Sequence, residues 1–200
     1  MAISIDDIKK LKELTGVGLT DAKAALTESK GDFDKALEAM RKKGLTKAEK
    51  RGEREARAGL VDSYVHSNRV GVLVEVNCET DFVAKTDEFK TLVHDVALHV
   101  AASAPEFITL SDIPADIEGT KRAEFTDKAA QEGKSPEISG KIVEGQLKKY
   151  FAEKTLLEQP FIKNPDQTVG ELVKEYISKL GENIVVRQIR RIELGVTDEA

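Results

Sequence analysis

The sequence predicts an α+β fold: a three-helix module over residues 1–45, a basic linker over 46–58, and over 59–200 a small antiparallel sheet with helices packed on one face. Three observations carry this reading. Apolar residues recur at helical spacing in the first segment and change to strand-like patterning once the basic stretch is passed. Two strand-like runs are separated by a connection of hairpin length. A capped helix near the C-terminus leads straight into one more strand.

In the first segment Ile5, Ile8, Leu11 and Leu14 recur at helical spacing behind Ser4 and Asp7, which imitate a capping box, until Thr15-Gly16-Val17-Gly18 breaks the run. A second helix is expected over residues 19–29, where Ala22, Ala25 and Leu26 allow close helix approach. Gly31 ends it, and Asp32 N-caps a third helix with Phe33, Ala36, Leu37 and Met40 as inner stripe and Gly44 at C′. The exposed glycine loop of so small a module is a natural contact point for another protein.

Runs at 60–66 and 70–76 flank Ser67-Asn68-Arg69 and predict an antiparallel hairpin. Phe89, Leu92, Val93, Val96, Ala97 and Val100 then mark one face of a helix over 86–103, with Asp87 and Glu88 well placed in its first turn. Residues 105–114 read as a connector and 115–133 as a polar helix. Ile138, Ile142, Val143, Leu147, Tyr150 and Phe151 suggest a further helix, weakened by Gly140 and Gly145. Pro160 disfavours helix at the residue before it, so 156–162 is expected to be extended. Thr168-Val169-Gly170-Glu171 is a full capping box, followed by an apolar face of Val169, Leu172, Val173, Tyr176, Ile177 and Leu180 and by Gly181 as the stop. A last strand over 184–194 closes the sheet, and no Gly-rich phosphate loop or internal repeat is visible.

Composition limits the functions available. Two hundred residues with 40% hydrophobic content and no Trp can bury one modest core with a small satellite beside it. No run of about 18 apolar residues exists, and Met1-Ala2-Ile3-Ser4-Ile5-Asp6-Asp7 is polar at once. Neither a membrane span nor a signal peptide is expected, and the cytoplasm is the expected compartment. The single Cys78 cannot close an internal disulfide, in keeping with a reducing compartment. A net charge of −5 argues against a general nucleic-acid binder. Between Arg41 and Arg57, however, eight basic residues stand against three acidic ones. Without aromatic residues between the charges, that stretch reads as a solvated linker helix rather than an RNA surface.

Catalysis finds little support. Cysteine nucleophile chemistry would need Cys78 beside His66, His94 or His99, and none of them comes with a recognisable signature. A lone Cys at a strand end is usually a small buried hydrophobe. His94 and His99, five residues apart, sit about 140° apart around a helix and cannot share a metal ion. No metal or other cofactor is expected, and the residues read as an interaction protein rather than an enzyme. One stretch stands out, Asn77-Cys78-Glu79-Thr80-Asp81-Phe82-Val83-Ala84-Lys85, at a strand-to-helix junction. On these residues alone two readings stay open. Either Asp81 caps the next turn with Phe82 packed beneath it, or both are held out for a partner.

Two stretches closely resemble the signatures of the bacterial translation elongation factor Ts family. They are Thr15-Gly16-Val17-Gly18-Leu19-Thr20-Asp21-Ala22-Lys23 and Glu75-Val76-Asn77-Cys78-Glu79-Thr80-Asp81-Phe82-Val83-Ala84-Lys85. Lys141-Ile142-Val143-Glu144-Gly145, Glu158-Gln159-Pro160-Phe161 and Gly181-Glu182-Asn183-Ile184 are similar to further family segments, so the likeness runs end to end. The resemblance implies a guanine nucleotide exchange factor that binds elongation factor Tu, GDP-bound and nucleotide-free, and not an enzyme. The first module then corresponds to the family's ubiquitin-associated-like domain, which docks on the GTPase domain of Tu. Contacts are expected from Leu19, Thr20 and Leu11, although a residue at the spacing of Leu11 is more often module core. In the family, the acid and aromatic at the positions of Asp81 and Phe82 enter that GTPase domain near its magnesium and phosphate site, framed by Thr80 and Val83.

Longer members resembling this chain duplicate the core and carry Ser-Tyr-x-His on a second hairpin. Here Ser63-Tyr64-Val65-His66 and Thr80-Asp81-Phe82 share one copy, as in short members that act as homodimers. A homodimer in a two-to-two complex is therefore expected, with His66 reaching Tu from the partner chain. The inter-chain disulfide of one short member needs a cysteine near the C-terminus, absent here, so buried sheet and helix surface must hold the dimer. No membrane or direct nucleic-acid contact is expected. The alternatives are a ubiquitin-associated-like adaptor using the first module alone and an RNA-binding protein using the basic linker. Both leave Asp81 and Phe82 unexplained.

Overall fold

The structure, a computed structural model, describes residues 4–15, 18–131 and 136–196. Gly16 and Val17 of the glycine loop and Gly133 of the expected polar helix lie outside the described residues, as do the side chains of Arg41, Lys47 and Ile138. Three helices come first: α1 (Ile5–Thr15), α2 (Leu19–Glu28) and α3 (Phe33–Arg51). Leu11, Ala22, Ala25, Leu26, Ala36 and Met40 form their shared core, with Ile8, Phe33 and Leu37 packed against it. Asp32 caps α3 as its position predicts, accepting the Lys35 N–H at 3.1 Å. The stripe of α1 is only half used, since Ile5 and Leu14 remain exposed.

α3 departs from expectation. It runs through Gly44, the expected stop, to Arg51. At Gly44 a Cβ would lie 3.0 Å from Ser178 Oγ, so the missing side chain serves close helix packing and not a left-handed turn. Ala48 is buried in the main core, and Arg51 Nη1 donates to the Ile177 carbonyl at 3.1 Å. The basic stretch, read as a solvated linker helix, thus begins as part of α3: Lys42, Lys43 and Lys50 stay exposed, while Ala48 and Arg51 anchor the helix to the main core.

β1 (Ala58–His66) and β2 (Val70–Cys78) form the predicted hairpin. The Arg69 N–H donates to His66 O at 2.9 Å across the turn. Ser67 and Asn68 sit at φ 50° and 54°, the positive pair that a type I′ turn needs. A single helical turn, α4 (Asp81–Ala84), and the long α5 (Asp87–Ser103) follow. Next come two mutually packed helices, α6 (Ala115–Gln131) and α7 (Pro136–Lys154), with a satellite core of Ala129, Val143, Leu147 and Phe151. Residues 156–162, expected to be extended, open with a 3-10 turn at Leu156–Glu158. Extended backbone starts at Gln159, the residue that Pro160 constrains (φ −69°, ψ 139°), and continues through Pro160 and Phe161. A two-stranded ribbon, β3 (Pro160–Phe161) with β4 (Asn164–Thr168), leads into α8 (Val169–Leu180) and β5 (Ile184–Glu193).

β5 pairs antiparallel with β2, so the main sheet has the order β1-β2-β5 with a bulge at Arg187. Val72, Val74, Val76 and Cys78 of β2 and Ile184 and Val186 of β5 face α5 and α8. On α5 the whole predicted stripe, Phe89 to Val100, is fully buried. Each of its larger side chains, Phe89, Leu92, Val93, Val96 and Val100, contributes on the order of 1.5–3 kcal/mol through removal from water. Both bonds of the α8 capping box are present: the Glu171 N–H donates to Thr168 Oγ1 (3.1 Å) and the Thr168 N–H to Glu171 Oε2 (2.9 Å). Gly181 ends α8 at φ 81°. The other face of the sheet stays open, with Val61, Val65, Leu73 and Ile192 between 52% and 73% exposed.

Candidate functional site

The junction between β2 and α4 is held by hydrogen bonds that converge on Thr80. Its extended backbone (φ −128°, ψ 156°) makes it the N-cap of α4, and its hydroxyl accepts the Val83 N–H at 3.4 Å. The same hydroxyl donates to Glu182 Oε1 at 2.6 Å, and the Thr80 N–H donates to Glu182 Oε2 at 3.0 Å. The Cys78 thiol donates to the Thr80 carbonyl at 3.1 Å. Beside it, Glu79 Oε1 accepts the Asn183 N–H at 2.6 Å and pairs with Arg54 at 3.5 Å. The Asn183 amide in turn donates to the carbonyls of Gly52 (3.3 Å) and Arg54 (2.6 Å). Three segments distant in sequence therefore lock one corner, with charge-assisted bonds at its centre.

That corner decides where the exposed residues point. Ala84 is buried and Val83 packs against the main core, while Thr86 ties α4 to α5: its hydroxyl donates to Val83 O (2.8 Å) and accepts the Phe89 N–H (3.2 Å). Phe82, on the outer side of the turn, is 79% exposed. Asp81 is exposed too and pairs with Lys85 at 2.6 Å. The hydrogen-bonded Lys85 ammonium holds the Asp81 carboxyl below the usual carboxylate range, so it stays ionised. Of the two readings open in the sequence, capping with burial does not hold. Thr80 is the cap, and Phe82 does not pack beneath the turn.

The remaining sequence-predicted residues lie elsewhere. Leu19 and Thr20 are exposed at the start of α2. Leu11 is fully buried in the core of α1–α3 and cannot reach a partner from there, because helical periodicity alone does not tell a core position from a surface one on so short a helix. His66 is exposed at the turn end of the hairpin, with Nδ1 3.0 Å from Tyr64 Oη. The nine residues of β2 separate it from Thr80, about 27 Å at ~3.4 Å per residue, so one chain does not bring His66 and Phe82 together.

Burial, with help from the Glu182 charge, pushes the Cys78 thiol up to about 11. It is therefore a buried hydrogen-bond donor, not a nucleophile. His94 bonds Asp62 and His99 bonds Gln159, and among the described residues no group of three His, Cys, Asp or Glu side chains comes together to hold a metal. Sequence reasoning missed Arg54, Glu79, Glu182 and Asn183 as site residues. The signals were the family-like segments that contain them, residues 77–85 for Glu79 and Gly181-Glu182-Asn183-Ile184 for Glu182 and Asn183, while nothing in the sequence marked Arg54.

The family described as Elongation factor TS matches residues 6–176. The chain belongs to the elongation factor Ts family. Elongation factor Ts of Moorella thermoacetica is 50% identical over 194 residues, covering 96% of both chains. That of Carboxydothermus hydrogenoformans is 50% identical over 189 residues, 94% of this chain and 87% of its own. That of Thermodesulfovibrio yellowstonii is 44% identical over 199 residues, covering both chains completely. Membership of the elongation factor Ts family gives the chain a nucleotide exchange role in translation elongation. Among the described residues no helix is long and apolar enough to cross a membrane.

Proposed function

We propose that the chain binds elongation factor Tu and speeds GDP release by inserting Asp81 and Phe82 beside the magnesium and phosphate groups of the bound nucleotide. The observation that carries this reading is a phenylalanine 79% exposed on a turn whose backbone is locked from both sides. An aromatic kept in water by its own fold, with little freedom left to lose, is well suited to fill a partner's pocket. GDP is held chiefly by phosphate contacts and by the magnesium that neutralises them, and a wedge that displaces the surrounding loops weakens both. Because coupling is reciprocal, whatever affinity the factor gains for empty Tu over loaded Tu is the amount by which it loosens nucleotide. Incoming GTP then displaces the factor. No covalent step and no cofactor of its own are needed.

In this reading residues 1–45 dock on the GTPase domain through Leu19 and Thr20, 59–200 form the exchange and dimerisation core, and 46–58 connect them, with α3 running across the first boundary. The open apolar face of the sheet supports a homodimer, in which His66 of one copy serves the Tu bound chiefly by the other. The cytoplasm is the compartment where this takes place. The test is the rate of fluorescent GDP release from Tu with the parent chain and with Asp81→Ala plus Phe82→Ala. The double variant is expected to lose most of the acceleration, and a rate equal to the parent's contradicts the proposal.

A further inference from the structure

We infer that Glu182 is the positioning residue of the exchange turn, fixing through Thr80 the direction in which Phe82 is presented. The inference rests on the exchange reading above. Both carboxylate oxygens are engaged by one residue, Oε2 by the Thr80 N–H at 3.0 Å and Oε1 by the Thr80 hydroxyl at 2.6 Å. Two bonds from one carboxylate fix orientation as well as distance. Thr80 is also the cap of α4, and Phe82 is the second residue of that helical turn, so a rotation at Thr80 swings the aromatic ring directly.

The carboxylate itself stands on a rigid base. Gly181 before it closes α8 in the left-handed conformation, and Asn183 after it is 2% exposed, with its N–H and side-chain amide both bonded. Ile184 then enters the sheet opposite Cys78. The Cys78 thiol completes the clamp from below by donating to the Thr80 carbonyl at 3.1 Å. Thr80 is thus held at its N–H, its hydroxyl and its carbonyl, while the Asp81 carboxylate pairs with the exposed Lys85 and Phe82 stands out in solvent, where both can meet a partner. A glutamine in place of Glu182 can accept from only one of the two Thr80 donors, and an alanine from neither.

The experiment compares full-length Glu182→Ala, Glu182→Gln and Phe82→Ala in GDP release from Tu, reading the limiting rate and the half-saturating concentration separately, with thermal midpoints alongside. Glu182→Ala is expected to lower the limiting rate about tenfold, the factor equivalent to ~1.4 kcal/mol, with half-saturation changed little because α1–α3 still dock. Glu182→Gln falls between it and the parent. The amide resonance of Thr80, observed without Tu, is expected to move in both Glu182 variants. Glu182 variants that exchange at the parent rate, beside a slow Phe82→Ala, overturn the positioning role and leave the exchange reading intact. A Phe82→Ala as fast as the parent overturns the exchange reading itself. If the thermal midpoint and half-saturation deteriorate together in both Glu182 variants, the residue is merely structural and the inference fails.

Discussion

Leu73→Lys should dissociate the proposed homodimer without unfolding the chain. Leu73 lies on the open face of the sheet, between Ser63 of β1 and Arg190 of β5 in register, with Val65 and Ile192 in the neighbouring row. It is 52% exposed in the single chain, so about half of the 1.5–3 kcal/mol available from full burial, roughly 1 kcal/mol, remains to be gained at an interface. Two-fold symmetry doubles that loss to about 2 kcal/mol. Two unpaired ammonium groups placed in an apolar contact beside Arg190 add a desolvation and repulsion cost on the order of 2 kcal/mol or more. The sum of at least ~4 kcal/mol weakens association roughly a thousandfold. In the separate chain the lysine points into water, and a like charge opposite Arg190 costs under about 1 kcal/mol. Sedimentation velocity at micromolar concentration, with the thermal midpoint as control, reads both effects. A parent chain that sediments as a monomer, or a variant as dimeric as the parent, refutes the reasoning.

Two further predictions concern buried groups. His99 is fully buried, with Nε2 2.9 Å from Gln159 Oε1 and Nδ1 accepting the Ile162 N–H at 3.3 Å, so it is neutral with its proton on Nε2. Burial pushes its pKa below the ordinary 6.5, so on acidification the unfolded chain takes up a proton first. The contribution of neutral His99 to stability is therefore complete above about pH 6.5 and is lost as the pH drops from there through the folded-state pKa; a thermal midpoint that slopes equally in His99→Gln contradicts this. The Cys78 thiol, raised from 9.0 to about 11, should hold roughly a hundredfold less thiolate at pH 8 than an ordinary thiol. Alkylation should accordingly be slow until denaturant is added, and labelling of the native chain at the rate of a free thiol rules out the burial described.

What the sequence made legible follows from how local each signal is. The stripe of α5 and the capping box of α8 are short-range patterns in which every residue agrees with its neighbours, and both formed as expected. The hairpin was equally readable, since alternation and turn residues coincide. Gly44 misled because a glycine looks the same whether it ends a helix or lets a second helix approach, and only Ser178, far along the chain, decides between them. β4 was invisible because Asn164-Pro165-Asp166-Gln167-Thr168 is polar throughout and pairs only with the two residues of β3. The 3-10 turn at Leu156–Glu158 hid behind the constraint that Pro160 places on a single preceding residue. At the site, Asp81 and Phe82 stood out as an acid beside an aromatic at a junction. Their support did not, because Glu182 lies 102 residues away and no periodicity links a clamp to what it holds.

The most direct test of the central claim replaces Phe82 with a photoreactive benzoylphenylalanine and maps its cross-links in the nucleotide-free complex with elongation factor Tu. The account predicts attachment to the residues of Tu that surround the magnesium and phosphate site, and loss of the product when excess GTP and magnesium are added. Cross-links to a different surface of Tu, or only within the factor itself, contradict it.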